Sequence, residues 1–226
     1  MREVVIDTET TGLNHKEGDR ITEVGCVELI NHIATKNTLQ FYCKVDKQIS
    51  ESASKISGIT NKFLKDKKTF EENHTNFLNF IKNDTLIIHN ASFDLGFINN
   101  ELKLIGKAPI KNNIVDTVEL ARKTLNTRIA NLDYLCRYFN IDLTERGTHS
   151  ALLDSKLLAD VYLELRGGKQ FSMNLSYSQN IQQDSPSLEK NTKNQTKKIQ
   201  ISKEDILDHK KMTKSIKDPL WKKFNY

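Results

Sequence analysis

The sequence predicts an α/β fold: a mixed sheet, an antiparallel meander followed by parallel strands, flanked by helices and trailed by a flexible C-terminal tail. Three observations carry this. Short β-rich stretches crowd the first 45 residues. From about residue 70, brief apolar runs take turns with helix-length amphipathic segments, as strands feeding helices do. Beyond Gly167-Gly168 the composition shifts to Ser, Asn, Gln, Thr and Lys, which bury too little surface to offset chain entropy.

The elements follow in order. Residues 3–6 are an apolar run too brief for a helix, and residues 20–30 place Ile21, Glu23, Gly25, Val27 and Leu29 on one face of a strand. A third strand over 38–45 completes the meander. Over Phe70–Ile81, Phe70, Phe77, Leu78, Phe80 and Ile81 gather on one side of a helix. A strand at Thr85–Ile88, a helix over 95–105, a strand at 113–115 and helices over 118–125 and 132–139 come next. The last core helix spans 150–165 and is stopped by the double glycine.

At 226 residues the chain suits one well-buried domain, 1–168, plus an appendage. Residues 1–168 hold 22 Lys and Arg against 23 Asp and Glu, a net of −1, whereas residues 169–226 hold 12 Lys against 6 acids, a net of +6. The basic excess therefore lies in the tail, where it either attracts nucleic acid or keeps a solvated segment soluble. Cys26, Cys43 and Cys136 are odd in number and embedded in apolar segments, which fits reduced core residues and neither a disulfide framework nor a zinc site. No apolar run is long enough to span a bilayer and the N-terminus shows no signal-peptide pattern, so a cytoplasmic protein is expected.

The chemistry resides in three acidic clusters: Asp7-Thr8-Glu9-Thr10-Thr11-Gly12, His89-Asn90-Ala91-Ser92-Phe93-Asp94 and His149-Ser150-Ala151-Leu152-Leu153-Asp154. Each carboxylate stands where a strand ends or a helix begins, so the four can converge. Asp7 and Glu9, two apart on a strand, share a face and can bind the same metal. Asp94 belongs at a helix N-terminus, where a carboxylate is stabilised in any case. His149 and Asp154, about 140° out of phase on a continuous helix, meet only if His149 lies in a loop and the helix begins near Ser150, a natural cap. His149 can then take a proton from an attacking water, a task suited to a near-neutral pKa. Converging oxygen ligands bind hard divalent cations, and two such ions about 4 Å apart clamp the attacking and leaving oxygens of a phosphoryl displacement. Asp116 and Asp160 read as structural.

These three motifs, in this order and spacing, resemble those of the DEDDh, or DnaQ-like, 3′→5′ exonucleases over residues 1–168, with the proofreading members that serve bacterial DNA polymerase III the best match. The resemblance implies an RNase H-like fold, two Mg²⁺ or Mn²⁺ ions held by Asp7, Glu9, Asp94 and Asp154, His149 as general base, and release of nucleoside 5′-monophosphates from DNA 3′ ends. One departure stands out. Where the family carries a Glu and a His that seat the terminal nucleotide, this chain has Ser52 and Ser57, which are positional equivalents in substrate binding alongside Asp7, Glu9 and Asp154. Asn90 and Phe93 are further candidates for sugar or base contact, Phe93 with core packing as its alternative.

The tail carries a second resemblance. Residues 170–175 look like the short sliding-clamp-binding peptide, with Gln170, Met173 and Leu175 as the clamp contacts, inside a flexible 169–200 linker. Residues 201–226 begin with a capped short helix and end in Leu220, Trp221 and Phe224, the expected anchor to the polymerase III catalytic subunit. A small accessory subunit is a further possible partner. Two alternatives stay open: a free-standing exoribonuclease of the same superfamily, for which such a tail has no use, and a catalytically dead adaptor between clamp and polymerase, against which the intact acids and His149 argue.

Overall fold

The computed structural model of the chain describes residues 1–144, 146–168 and 203–215. By contacts the chain divides into two units, Met1–Asn174 and Leu175–Tyr226. The first unit is built on a five-stranded sheet: β1 Arg2–Thr10, β2 Ile21–Ile30, β3 Ile33–Tyr42, β4 Thr85–Ile88 and β5 Ile114–Asp116, in the order β3-β2-β1-β4-β5. β1, β2 and β3 pair antiparallel, while β4 joins β1, and β5 joins β4, in parallel. The expected mixed sheet is thus the one observed.

Alternation along the strands explains the layers. Val4 and Ile6 of β1, Val24 and Cys26 of β2, and Leu86 and Ile88 of β4 face one side and pack against α3 (Phe70–Ile81) and α4 (Ala91–Leu104). Val5, Val27, Leu29 and Ile87 face the other side, covered by α5 (Thr117–Leu125), α6 (Leu132–Tyr138) and α7 (Ala151–Leu165). The three cysteines are free and buried, and burial pushes their thiols above the ordinary range.

Some boundaries differ from the sequence reading. β1 runs four residues beyond its apolar stretch, because pairing with β2 carries the polar Asp7–Thr10 segment. β3 begins at Ile33, since Asn31 and His32 both adopt positive φ (52° and 69°) and make a two-residue hairpin turn. As an outer strand it is mostly exposed and shows little apolar signal before Leu39. α4 begins at Ala91, which places Asp94 inside its first turn. Two short helices without an amphipathic signature, α1 (Glu51–Ser57) and α2 (Asn61–Leu64), fill the stretch after β3 and bury Ile49, Ile59 and Leu64 in a small cluster.

In the second unit α8 spans Lys203–Ser215, where a short helix was expected. The remaining tail expectations, the linker over 169–200, the clamp peptide with Gln170, Met173 and Leu175, and the anchor at Leu220, Trp221 and Phe224, lie outside the described residues. No helix among the described residues is long and apolar enough to cross a membrane.

Candidate active site

The site lies where β1 outruns its neighbour. Pairing of β1 with β4 stops at Ile6–Ile88, whereas pairing with β2 continues to Thr10 with an irregularity after Glu9. Beyond Ile6 one edge of β1 is uncovered, the kind of crevice at strand carboxyl ends where α/β sheets bind ligands. Asp7, Thr8 and Glu9 open onto it, the α4 N-terminus approaches from one layer and the α7 N-terminus from the other. The resulting cleft, about 430 Å³, is lined by all four predicted carboxylates, His149 and Phe93, together with Thr8, His89, Asn131, Leu132, Asp133 and Arg146.

Asp94 and Asp154 are each held by their own device. Thr8 Oγ1 donates to Asp94 Oδ1 at 2.6 Å. The start of α4 is fixed by Asp116 at the end of β5, whose carboxylate accepts from the backbone N–H groups of Asn90 (3.3 Å), Ala91 (2.8 Å) and Val118 (2.8 Å). One acid therefore caps both α4 and α5, the structural role expected of it. Asp154 sits in the first turn of α7, whose N-cap is Ser150. Ser150 makes no side-chain cap, however, because its hydroxyl donates to Glu23 Oε1 at 3.0 Å. α7 lies directly on β2 at Gly25, and Ser155 Oγ donates to Gly25 O at 3.0 Å.

His149 lies in the loop, as its phase relation to Asp154 requires, with its backbone N–H bonded to Ile56 O of α1 at 3.0 Å. The segment after β3 thus holds the histidine loop. Glu9, His149 and Asp154 offer ligand atoms within 4.8 Å of one another, and His149 Nδ1 stands 3.1 Å from Asp154 Oδ2. Asp7 and Asp94 border the same cleft.

Crowding of acids dominates the electrostatics. Burial first, then the charges of Asp94, Asp154, Glu9 and Glu23, raise Asp7 well above the usual carboxylate range. Glu9 is pushed up to about 8 by burial, and next by Asp154. Asp94 is pushed up to about 7 by burial, against the opposing hydrogen bond from Thr8. Four acids beside the single guanidinium of Arg146 are a donor set short of countercharge, which a divalent cation would supply. Oxygen donors plus one imidazole within 4.8 Å fit such an ion.

The serines are placed elsewhere. Ser52 is exposed on the first turn of α1, its hydroxyl 3.2 Å from Ser50 Oγ. Ser57 ends that helix, its hydroxyl donating to Ala53 O (2.9 Å) and accepting from Ile59 N–H (3.2 Å), and it borders a smaller neighbouring pocket with Glu23, Tyr42 and Phe63. Neither serine lines the acidic cleft; their short side chains are engaged locally, Ser52 with the Ser50 hydroxyl and Ser57 with the backbone. Asn90 is the left-handed N-cap of α4 (φ 64°) and is not among the cleft-lining residues. Phe93 packs 4.9 Å from Phe97, the core-packing alternative, and also lines the cleft.

The chain matches the RNase_T exonuclease family model over residues 4–162. It is 39% identical over 222 residues to DNA polymerase III subunit epsilon of Rickettsia felis, covering 96% of this chain and 97% of that protein. It is 40% identical over 176 residues to the subunit of the same name from Escherichia coli K12, covering 74% and 72% of the two chains. The chain belongs to the epsilon-subunit family of exonucleases. Solved structures agree at the level of fold: Exonuclease X in complex with 5′-overhanging duplex DNA (TM-score 0.59, 23% identity, 72% of this chain and 90% of that one) and the nuclease domain of 3′hExo, a DEDDh family member, bound to rAMP (TM-score 0.63, 20% identity, 73% and 90%).

Within this family frame, Arg146, Asp133, Asn131 and Leu132 line the cleft from outside the three motifs, and Glu23 acts on it from the neighbouring pocket through Ser150 and through its charge on Asp7 and Glu9. Glu23 carried a signal as an acid on the face of β2 formed by Gly25, Val27 and Leu29, whereas Ile21, expected on that face, packs on the opposite side with Val24 and Cys26 because the register shifts after Glu9. Arg146 carried none, because its partners are set by tertiary structure.

Proposed function

We propose that this chain is the proofreading 3′→5′ exonuclease subunit of a bacterial DNA polymerase III, removing 3′-terminal nucleotides from DNA. The observation that carries the reading is the convergence of Asp7, Glu9, Asp94, Asp154 and His149 on one cleft in a chain with epsilon-family identity over nearly its whole length. Asp7, Glu9, Asp94 and Asp154 would hold two divalent cations, Mg²⁺ or Mn²⁺, which supply Lewis-acid stabilisation of charge on the phosphodiester. His149, on its loop beside Asp154, takes the proton from the attacking water. Phe93 offers an aromatic face to the terminal base or sugar. Asp116 and Glu23 keep the helix starts in place, so the acids need not reorganise during the reaction.

The tail extends this reading to partners. Gln170, Met173 and Leu175 contact a sliding clamp, and Leu220, Trp221 and Phe224 anchor the polymerase catalytic subunit in the cytoplasm, which keeps the nuclease at high effective concentration near the primer end. The family relationship supports the polymerase partner; a small accessory subunit would complete the assembly. Asp7→Ala and Asp154→Ala test the chemistry. Each should abolish turnover while leaving the circular dichroism spectrum native, and wild-type rates in either would sink the assignment.

A further inference from the structure

Arg146 is the cation among the residues lining the acidic cleft, and its side chain is 8% exposed. Its Nε donates to Asp154 Oδ1 at 2.7 Å and its Nη2 to Asp154 Oδ2 at 2.8 Å, a two-pronged fork that occupies both oxygens of this carboxylate. Nη1 pairs closely with Asp133 Oδ1, and Nη2 lies 3.1 Å from His149 Nδ1. The guanidinium thus takes up two of the three groups, Asp154 and His149, whose donor atoms come together with Glu9 in a cation-sized cluster.

We propose that Arg146 is an intramolecular competitor for Asp154, which a divalent cation must displace in order to bind. This rests on the cation-dependent reading of the site given above. Three points carry it. An arginine cannot shed its proton, so the positive charge persists at any working pH. A divalent ion on Asp154 and a guanidinium spanning both of its oxygens would lie within a few ångströms of each other, two like charges in a buried cleft. Asp133 is half exposed at the cleft wall and remains as a partner, so the fork can leave Asp154 without stranding the charge. Displacement also lifts Nη2 from His149 Nδ1, so cation binding and release of the imidazole become one event. Arg146 is therefore a positioning residue: it neutralises Asp154 until the cation does so.

The test is isothermal titration of Mn²⁺ into the full chain without nucleic acid, for wild type, Arg146→Met and Arg146→Lys, with Asp154→Asn as the control that removes the shared ligand. Competition requires Arg146→Met to bind Mn²⁺ more tightly, by about tenfold for loss of one buried charge-assisted fork. Arg146→Lys should fall between it and wild type, because lysine keeps the charge and loses the fork. In EDTA, Arg146→Met should melt below wild type, and Mn²⁺ should raise its Tm by more than it raises that of wild type. Equal or weaker Mn²⁺ binding by a folded Arg146→Met would overturn the proposal, showing that the arginine organises Asp154 for the ion. A lysine variant indistinguishable from wild type would likewise refute the fork. Should the methionine variant fail to fold, the lysine variant decides alone, tighter binding supporting the proposal and equal or weaker binding refuting it. If wild type binds no Mn²⁺ at all, the nuclease reading falls and takes this inference with it, whereas loss of the difference between variants removes the inference alone.

Discussion

Gly25 is the position at which one methyl group should separate the fold from its chemistry. A Cβ built there would stand 2.2 Å from the backbone carbon of Ala151, 2.3 Å from Ala151 O and 2.3 Å from Leu152 N, all main-chain atoms of the first turn of α7. Relaxed carbon contacts need about 3.5 Å, so the helix start must retreat by about 1 Å. That same turn carries Asp154, and Ser155 Oγ loses its 3.0 Å bond to Gly25 O as α7 lifts. Overpacking costs about 1–3 kcal/mol and the lost buried hydrogen bond about 1 kcal/mol. For a domain of this size the sum corresponds to a Tm lower by roughly 5–15 °C. A 1 Å misplacement of a catalytic group costs on the order of 100-fold in rate. Gly25→Ala should therefore be folded at 25 °C, as judged by circular dichroism and a cooperative melt, yet cleave a 3′-terminal nucleotide about a hundredfold more slowly. Wild-type melting together with wild-type turnover would refute the claim that α7 is seated on this glycine.

Asp116→Ala should destabilise the fold by about 1–2 kcal/mol through the loss of helix caps, measured by urea unfolding; it should also slow cleavage through Asp94, with Asp116→Asn recovering part of both because one acceptor oxygen remains. Glu9 and Asp94, pushed up to about 8 and about 7, keep protons in the folded chain that the unfolded chain releases from about pH 4.5 upward. In EDTA the site's contribution to stability should consequently fall as pH rises from about 5 to 8 and level off above that; Tm measured across this range should decline, and Mg²⁺ should remove the decline by favouring the ionised acids. A Tm that climbs steadily over that window in EDTA would contradict the raised acids. Removal of residues 200–226 should spare hydrolysis of free oligonucleotides and abolish co-purification with the polymerase catalytic subunit, and retained co-purification would place the anchor elsewhere.

What could be read in the sequence was what local chemistry dictates. The β-rich opening, the Phe70–Ile81 helix and the Thr85–Ile88 strand follow from side-chain period alone and match the structure. The break before Asp154 followed from helical phase, since His149 and Asp154 cannot share a site on one continuous helix. α1 and α2 escaped because they are too short to show an amphipathic period, although α1 supplies the backbone bond that holds His149. Ser150 looked like a cap and is one by position, yet its hydroxyl serves Glu23, 127 residues away in sequence. Arg146 has three partners that only the folded chain assembles. Positional equivalence led to Ser52 and Ser57 as substrate contacts, whereas their reach and their local hydrogen bonds keep them out of the acidic cleft.

The reaction proposed for this cleft is removal of nucleotides from DNA 3′ ends with the help of divalent cations. The direct measurement follows 5′-labelled DNA and RNA strands of matched sequence, the DNA single-stranded and with paired or mispaired 3′ ends, in Mg²⁺ and in EDTA. Stepwise shortening from the 3′ end that requires Mg²⁺, favours DNA and runs faster at mispairs is the expected result. Preference for RNA would move the chain to RNA trimming, and intact strands under every condition would contradict the account.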